Sequence, residues 1–265
     1  GLLRHTFSYE EFNELVSFNQ GDNDLGFVFM SHEDEMFNPC FEIGFNFYSQ
    51  IKNKQEAVFQ FCNLNELNAS ACVNKHGKFS EEKFYELCRK SSILGTLQAG
   101  YTSFPYLGKQ TEEIVAGEAL IGISITGWMT RPELFDERIL RKGAEIVKQT
   151  NKEIARLLGI NPAARTTTVK PSGNASVILK TASGIHPEHS KRYFRIMQLN
   201  KESETAKYLQ EHYPEMLEES LWSNTQSDWV VYVPCENHDN VIIKDEMHGV
   251  KHLKLIELVQ DAWVK

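Results

Sequence analysis

The 265-residue sequence lacks an excess of basic residues, a long apolar run and a secretion signal. Its 28 basic and 36 acidic residues give a net charge of −8, so no broad positive field can hold a nucleic-acid backbone or an anionic membrane. The longest strongly apolar run, residues 119–130, is too short to cross a bilayer. The N-terminus has no basic stretch followed by an apolar core. We therefore expect no membrane partner and no nucleic-acid partner.

Cysteines are few as well. The five are an odd number, none forms a C-x-x-C metal pair, and a chain of this size does not need disulfides for its stability. Free thiols in a reducing cytoplasm are therefore expected. His186, Glu188 and His189 are metal-ligating types, but they lie in an expected loop and no third ligand has a suitable spacing, so no metal site is predicted.

The order of apolar and helix-forming segments predicts an α/β fold without repeats or linkers. A helix is expected after Ser80, reaching Gly95 or Gly100, and residues 121–126 read as a buried strand with a close neighbour. A capping box at Thr130 and Glu133 predicts a long helix that Gly159 ends. Further expected elements are a strand at 165–169, helices at 9–16, 202–212 and 253–264, and strands at 229–233 and 241–244.

Asn38, Cys40 and Glu42 place an amide, a thiol and a carboxylate at alternate positions. In extended backbone the three side chains would project to one side and line one small site. Pro39 lacks a ladder donor, which favours Cys40 at the tip of a loop. A buried cysteine on a strand between surface polar residues is the other interpretation, and these residues alone leave both open.

A second candidate site follows the expected strand at 165–169. Small residues there would aim free backbone N–H groups and hydroxyls at an anion, with no Cβ at the glycine to obstruct it. The segment is not a Walker loop, because no Gly-Lys-Ser/Thr follows, and a plain turn with a serine helix cap is the alternative. Its residues are Pro171, Ser172, Gly173, Asn174, Ala175 and Ser176.

Two other cysteines differ in their context. Cys62 begins a polar segment after an apolar one and is placed to return toward Cys40, although a further buried thiol is the simpler interpretation. Cys88 lies on the apolar face of the helix after Ser80, which predicts a core position.

Five motifs occur in one order over residues 38–190: Asn-x-Cys-x-Glu, Cys-Asn-Leu-Asn-Glu, Ile-Gly-Ile-Ser-Ile-Thr-Gly-Trp-Met, Val-Lys-Pro-Ser-Gly-Asn-Ala-Ser and Ser-Gly-Ile-His-Pro-Glu-His-Ser. The ordered set resembles the catalytic subunit of ribonucleotide reductase, most closely the adenosylcobalamin-dependent class II enzymes of the monomeric type. The resemblance implies radical-based reduction of ribonucleotides to deoxyribonucleotides, as DNA replication requires, with adenosylcobalamin as cofactor.

The resemblance also implies roles for single residues. Cys40 corresponds to the cysteine that becomes a thiyl radical and takes the 3′ hydrogen of the ribose. Glu42 corresponds to the base for the 3′ hydroxyl, and Asn38 to the amide that holds the substrate hydroxyls. Cys62 resembles one of the two thiols that reduce the 2′ position, and residues 172–176 align with the loop that receives the substrate phosphates.

The fold implied is roughly the second half of a ten-stranded α/β barrel with the catalytic-cysteine loop at its centre. Residues 1–265 would form one partial barrel domain, without the N-terminal half that carries the partner of Cys62 and without the C-terminal tail. The implied partners are a ribonucleoside di- or triphosphate substrate, a thioredoxin-like dithiol reductant, and a complementary chain carrying the N-terminal half.

Two alternatives stay open at this point. A split or degenerate reductase half could act without catalysis, as an assembly partner or a nucleotide-binding module. The intact set of Asn38, Cys40, Glu42 and Cys62 argues against such decay. Within the family, the class I large subunit is the other alternative, because its C-terminal tyrosine pair would lie outside this sequence.

Overall fold

The computed structural model describes residues 2–4, 8–18, 28–30, 36–45, 48–51, 54–237 and 239–264. Within them the chain is a mixed α/β structure, as the sequence predicts. The described strands are β1 (Leu2–Arg4), β2 (Val28–Met30), β3 (Met36–Phe37), β4 (Gly44–Phe45), β5 (Tyr48–Ile51), β6 (Lys54–Ala57), β7 (Asn63–Asn68), β8 (Ile121–Thr126), β9 (Arg192–Asn200), β10 (Leu217–Glu219) and β11 (Asp228–Glu236).

Six of the seven described α-helices follow β7 along the chain. None of those within the described residues is both long enough and apolar enough to span a membrane. The described α-helices are α1 (Tyr9–Phe18), α2 (Glu81–Ala99), α3 (Lys109–Glu118), α4 (Glu137–Leu158), α5 (Gly173–Leu179), α6 (Glu204–His212) and α7 (Gly249–Val259), and a π-helical turn, Gln260–Val264, continues α7.

Three parallel segments form the centre of the structure. β7 pairs with β8 in parallel, and β8 also bonds to residues 165–168 through an isolated parallel bridge between Ile123 and Thr167. Every residue of β8 is buried, which confirms the buried strand expected at 121–126. The strand expected at 165–169 is reduced to this bridge at Thr167, flanked by hydrogen bonds from Ile123 N to Thr166 O (2.9 Å) and from Thr168 N to Ile123 O (3.1 Å).

Two long helices cover one face of these strands. Gly95 of α2 lies so close to β8 that a Cβ there would be 3.1 Å from Ile123 Cδ1. Gly143 of α4 meets the ring of Phe84 on α2, where a Cβ would be 2.7 Å from Cε1. The α7 end closes the core, because the buried Trp263 donates its indole N–H to Thr168 O at 3.1 Å. Gly95 thus lets α2 approach β8 closely, and Gly143 lets α4 approach α2 closely.

The helix boundaries confirm two predictions and correct one. Ser80 caps α2 by accepting from Lys83 N at 3.3 Å, and Gly159 ends α4 in a left-handed conformation with φ +70°. The capping box expected at Thr130 is wrong. Residues 128–134 form two 3₁₀ turns instead, and α4 begins after Asp136, whose Oδ1 accepts from Ile139 N at 3.0 Å.

The C-terminal third adds a separate antiparallel sheet of order β10-β11-β9. It includes the strand expected at 229–233. The strand expected at 241–244 is reduced to one bridge, between Ile243 and Glu188, because a 3₁₀ turn begins at Lys244. That bridge fixes the loop containing Glu188 beside the chain that leads into α7.

Candidate functional site

Cys40 lies at the tip of a hairpin between β3 and β4, and its thiol is exposed. Asn38 closes the loop: its N–H donates to Ile43 O at 3.2 Å, its carbonyl accepts from Phe41 N at 2.9 Å, and its Oδ1 accepts from Ile43 N at 3.0 Å. Phe41 takes a left-handed conformation with φ +62°, which turns the chain back toward β4. The loop-tip prediction for Cys40 is confirmed, whereas the extended arrangement of residues 38–42 is wrong.

Glu42 has the opposite environment. Both of its carboxylate oxygens are buried, and neither has a hydrogen-bond partner among the described residues. Its backbone carbonyl accepts from Thr168 Oγ1 at 2.7 Å, which fastens the hairpin to the third parallel segment. A buried carboxylate without a partner is costly, so a hydrogen-bond donor or a cation is needed to complete this position.

Cys62 immediately precedes β7 and is half-buried. Burial, and to a smaller extent the negative charge of Glu42, raise the pKa of its thiol to about 12, although the positive charge of Lys170 acts in the opposite direction. Leu64, two residues after Cys62, and Ile43, which follows Glu42, both lie at Gly122, where a Cβ would be 2.6 Å from Leu64 Cδ2 and 3.2 Å from Ile43 Cδ1. The segment that begins at Cys62 therefore lies beside the Cys40 hairpin. The expected return of Cys62 to face Cys40 itself stays a prediction, and with a pKa of about 12 Cys62 is a thiol at neutral pH.

An ion pair borders these groups and was not predicted. Lys170 Nζ lies 2.7 Å from Glu66 Oε1, and the Glu66 side chain is only 8% exposed. Contact with Glu66 holds the pKa of the Lys170 ammonium above its ordinary value, and the charges of Glu42 and Cys40 raise it further. Both residues belong to motifs named above, so the signal was present, but sequence spacing alone could not pair them.

The predicted phosphate loop turns sharply into α5. Ser172 is buried in a left-handed conformation, Gly173 is exposed, and a Cβ on Gly173 would meet nothing within 4 Å. The amides of residues 173–175 donate no hydrogen bond to a described residue, as is usual for the first N–H groups of a helix. Below the loop, Gly184 has φ +48°, and a Cβ there would lie 2.7 Å from Lys170 O. This glycine lets the following loop support the candidate phosphate site at close range.

A buried hydroxyl network fixes the other end of α5. Thr181 Oγ1 lies 2.8 Å from Ser70 Oγ and 3.1 Å from Thr130 Oγ1, and Thr126 Oγ1 donates to Ala182 O at 3.1 Å. These groups come from three separate segments, so the network ties the loop after α5 to the ends of the central strands. No periodic pattern along the chain predicts this network.

The remaining candidate residues lie in the core or in a loop. Cys88 is fully buried, as predicted, and Cys72 is buried too. His186 lies in the predicted loop, where burial and the neighbouring His252 lower its pKa. Within the described residues, no three metal-ligating side chains are grouped closely enough to hold a metal ion.

A cavity of about 530 Å³ lies between the hairpin, α4 and the end of the chain. Of the predicted site residues, only Glu42 lines it. Cys40, Cys62 and residues 171–176 lie outside it, so this cavity does not by itself bring the predicted thiols and the phosphate loop together.

Comparison with known proteins adds independent information. No protein-family model matches the chain. An adenosylcobalamin-dependent ribonucleoside-triphosphate reductase from Euglena gracilis is 28% identical over 106 residues, which are 38% of this chain and 14% of that protein. A crystal structure of a B12-dependent class II ribonucleotide reductase superposes with a TM-score of 0.72 at 16% identity, covering 99% of this chain and 40% of that one.

The chain resembles the class II ribonucleotide reductases. This confirms the resemblance drawn from the motifs. The structural match extends over nearly the whole described chain and shows the fold, although only one residue in six is identical. The chain spans less than half the length of either protein, so it matches part of a reductase.

Proposed function

We propose that this chain carries the reactive loop and phosphate site of a ribonucleotide reductase, which reduces a ribonucleotide through a thiyl radical on Cys40. One observation carries the proposal. An exposed thiol at a hairpin tip is two residues from a buried carboxylate that has no hydrogen-bond partner among the described residues, and a second thiol is within electrostatic range of that carboxylate. The chemistry needs these three groups around one sugar.

The reaction uses them in sequence. The Cys40 thiyl takes the hydrogen atom from C3′ and becomes a thiol, while the Glu42 carboxylate accepts the proton of the 3′ hydroxyl, a donor that its buried oxygens do not find among the described residues. Water then leaves C2′. Two thiols, Cys62 and a partner outside this chain, supply two electrons and two protons and close to a disulfide. The hydrogen atom returns from Cys40 to C3′, which regenerates the thiyl, and Glu42 returns its proton to the 3′ oxygen.

Asn38 has a double role in this proposal. Its Oδ1 is occupied by Ile43 N, so the carboxamide N–H groups are the ones left to hold a substrate hydroxyl. The side chain would therefore shape the loop with one atom and bind the sugar with the other.

For the phosphates we propose residues 171–176. The amides at the start of α5 and the small side chains of this loop support the assignment, because they offer donors on a surface without bulky obstruction. A local donor cluster is also what a chain of net charge −8 needs in order to hold an anion.

Adenosylcobalamin is the radical source we propose, because the similar Euglena protein is named for it. When bound, this cofactor supplies the organic radical that oxidises the catalytic thiol. The exposed Cys40 Sγ is accessible to such a group, and this is the fit that the chain's own residues offer.

The surrounding assembly is part of the proposal. The three parallel segments would belong to roughly the second half of a ten-stranded α/β barrel, a single domain with the Cys40 hairpin at its centre. A complementary chain or segment would carry the other half and the partner of Cys62. A thioredoxin-like dithiol would reopen the disulfide, and a ribonucleoside di- or triphosphate would be the substrate, in the cytoplasm.

The test compares three variants in the chain supplied with the complementary barrel half, adenosylcobalamin and a dithiol. Cys40→Ser should abolish turnover, because an O–H bond is too strong to serve as a reversible hydrogen carrier. Glu42→Gln should slow ribose C–H activation but keep nucleotide binding, since the amide cannot accept the 3′ proton. Cys62→Ser should release free base, because the activated sugar is not reduced.

Two results would contradict these assignments. Turnover by Cys40→Ser is one, and wild-type behaviour of Cys62→Ser with a dithiol is the other. The phosphate loop is tested separately by nucleotide affinity in Gly173→Glu, where open space around the Cβ leaves the fold intact. Unchanged affinity would refute that site.

A further inference from the structure

Lys170 and Glu66 are charged groups of the site that the reaction above does not use. They lie on either side of β8: Glu66 on β7 is in register with Ser124, and Ser124 Oγ accepts from Lys170 N at 2.9 Å. Ser124 is fully buried. The ion pair of 2.7 Å therefore spans a central strand and is held by backbone on both sides.

The position of the pair gives it electrostatic access to the reactive groups. Thr168, two residues before Lys170, holds the carbonyl of Glu42, whose buried carboxylate has no hydrogen-bond partner among the described residues. A buried negative charge of this kind needs a nearby positive charge to offset its lost hydration. The Lys170 side chain is 29% exposed. Its ammonium is therefore partly shielded from water, and its charge is screened less than that of a fully exposed group.

We propose that Lys170 is a positioning residue of this site, whose ammonium, held by Glu66 across β8, balances the negative charge that Glu42 brings beside the Cys62 thiol. The inference deepens the proposed function. Its meaning for the reaction lies in the dithiol step, because thiol–disulfide exchange proceeds through thiolates and a leaving thiol of lower pKa departs faster. Without the Lys170 charge, nothing named here would oppose burial and Glu42, and the pKa of the Cys62 thiol would rise further.

The charged and titratable groups known to act here come from three elements. The hairpin contributes Cys40 and Glu42, β7 with its preceding residue contributes Cys62 and Glu66, and the third parallel segment leads into Lys170. Of these, Lys170 is the positive one. Its ammonium contacts Glu66 on β7, the strand that Cys62 immediately precedes.

The test measures alkylation of Cys62 by iodoacetamide in the chain as it stands, between pH 9 and 10.5, with each cysteine followed as its own peptide by mass spectrometry. Lys170→Met should slow Cys62 alkylation about 3- to 10-fold, which corresponds to a rise in pKa of about 0.5 to 1. Lys170→Arg should restore the rate to within about twofold, since it keeps the charge. Cys88, buried in the core, monitors the integrity of the fold.

A matched double variant distinguishes the effect of the lost Lys170 charge from the effect of a loosened structure. Lys170→Met leaves the Glu66 carboxylate buried and unpaired, which can loosen the structure by itself. Lys170→Met with Glu66→Gln removes both charges and retains the shapes. The proposal expects Cys62 alkylation to stay slow in this double variant, because the positive charge is still absent.

Two outcomes would overturn the proposal: an unchanged Cys62 rate in Lys170→Met, or recovery of the wild-type rate in the double variant. A faster Cys62 rate in Glu42→Gln, cancelled when Lys170→Met is added, would support the opposing charges directly. Alkylation needs neither substrate nor cofactor. Failure of the proposed function, seen as turnover by Cys40→Ser, is thus distinguishable from failure of this inference.

Discussion

Replacing Gly122 with alanine should move the reactive hairpin through packing alone. Gly122 lies in β8 at the point where the hairpin rests on the strands. An added Cβ would be 2.6 Å from Leu64 Cδ2, 3.2 Å from Ile43 Cδ1 and 3.3 Å from Thr168 Cγ2. Ile43 follows Glu42, and Thr168 holds the Glu42 carbonyl, so two of the three contacts belong to the anchor of the site.

The expected cost follows from these distances. The Leu64 contact is about 0.8 Å shorter than an ordinary 3.4 Å contact, whereas the other two must give by only a few tenths of an ångström. Overpacking of a core costs about 1–3 kcal/mol, and replacing a strand glycine returns about 0.5–1 kcal/mol. Gly122→Ala should therefore lower the free energy of unfolding by about 1–2 kcal/mol, and Gly122→Val should lower it further.

Urea unfolding measures this cost, with Gly117→Ala as the matched control. Gly117 lies near the end of α3, and a Cβ there would meet nothing within 4 Å, so this alanine should be neutral or stabilising. Adding Leu64→Ala to Gly122→Ala should relieve the main contact, giving a coupling free energy of at least about 0.5 kcal/mol. Stability of Gly122→Ala equal to that of Gly117→Ala would refute the reasoning, as would zero coupling to Leu64.

Two further predictions concern the hairpin and the thiols. Asn38→Ala removes the bond to Ile43 N, which should weaken the loop by about 1 kcal/mol and speed amide exchange in residues 36–45 several-fold; unchanged exchange would contradict this role. At pH 8, Cys40 should be alkylated fastest and Cys88 hardly at all, because one thiol is exposed and the other is in the core. The Cys62 rate should rise about tenfold per pH unit up to its pKa of about 12, and a plateau below pH 10 would refute the raised value.

Local chemistry made part of this fold predictable. Ser80 and Gly159 carry their own signals, a hydroxyl that caps and a residue without a Cβ, so both helix ends were correct. The start of α4 was missed because Thr130 and Glu133 match a capping pattern, whereas Pro132 starts a separate 3₁₀ turn and Asp136 caps the helix instead. Competing caps a few residues apart cannot be ranked without the packing that selects one.

The candidate site was likewise predictable from the sequence only in part. The tip position of Cys40 was predictable from Pro39, because a missing ladder donor is a local property. The Lys170–Glu66 pair and the contact between Thr168 and Glu42 join residues 104 and 126 positions apart, and only the parallel register of the central strands brings them together. The motifs name the candidate site residues, and the strand register decides which charged groups lie near them.

The state of Cys62 distinguishes two kinds of cysteine chemistry. A nucleophilic cysteine needs a lowered pKa, which nearby cations or a helix N-terminus provide. Burial and Glu42 instead raise the pKa of Cys62 to about 12, so at neutral pH nearly every molecule keeps the S–H bond. A thiol that donates hydrogen must hold that bond until the substrate is activated, and thiols are also less readily oxidised than thiolates. The environment of Cys62 therefore suits a reductant, with Lys170 limiting how far its ionisation is suppressed.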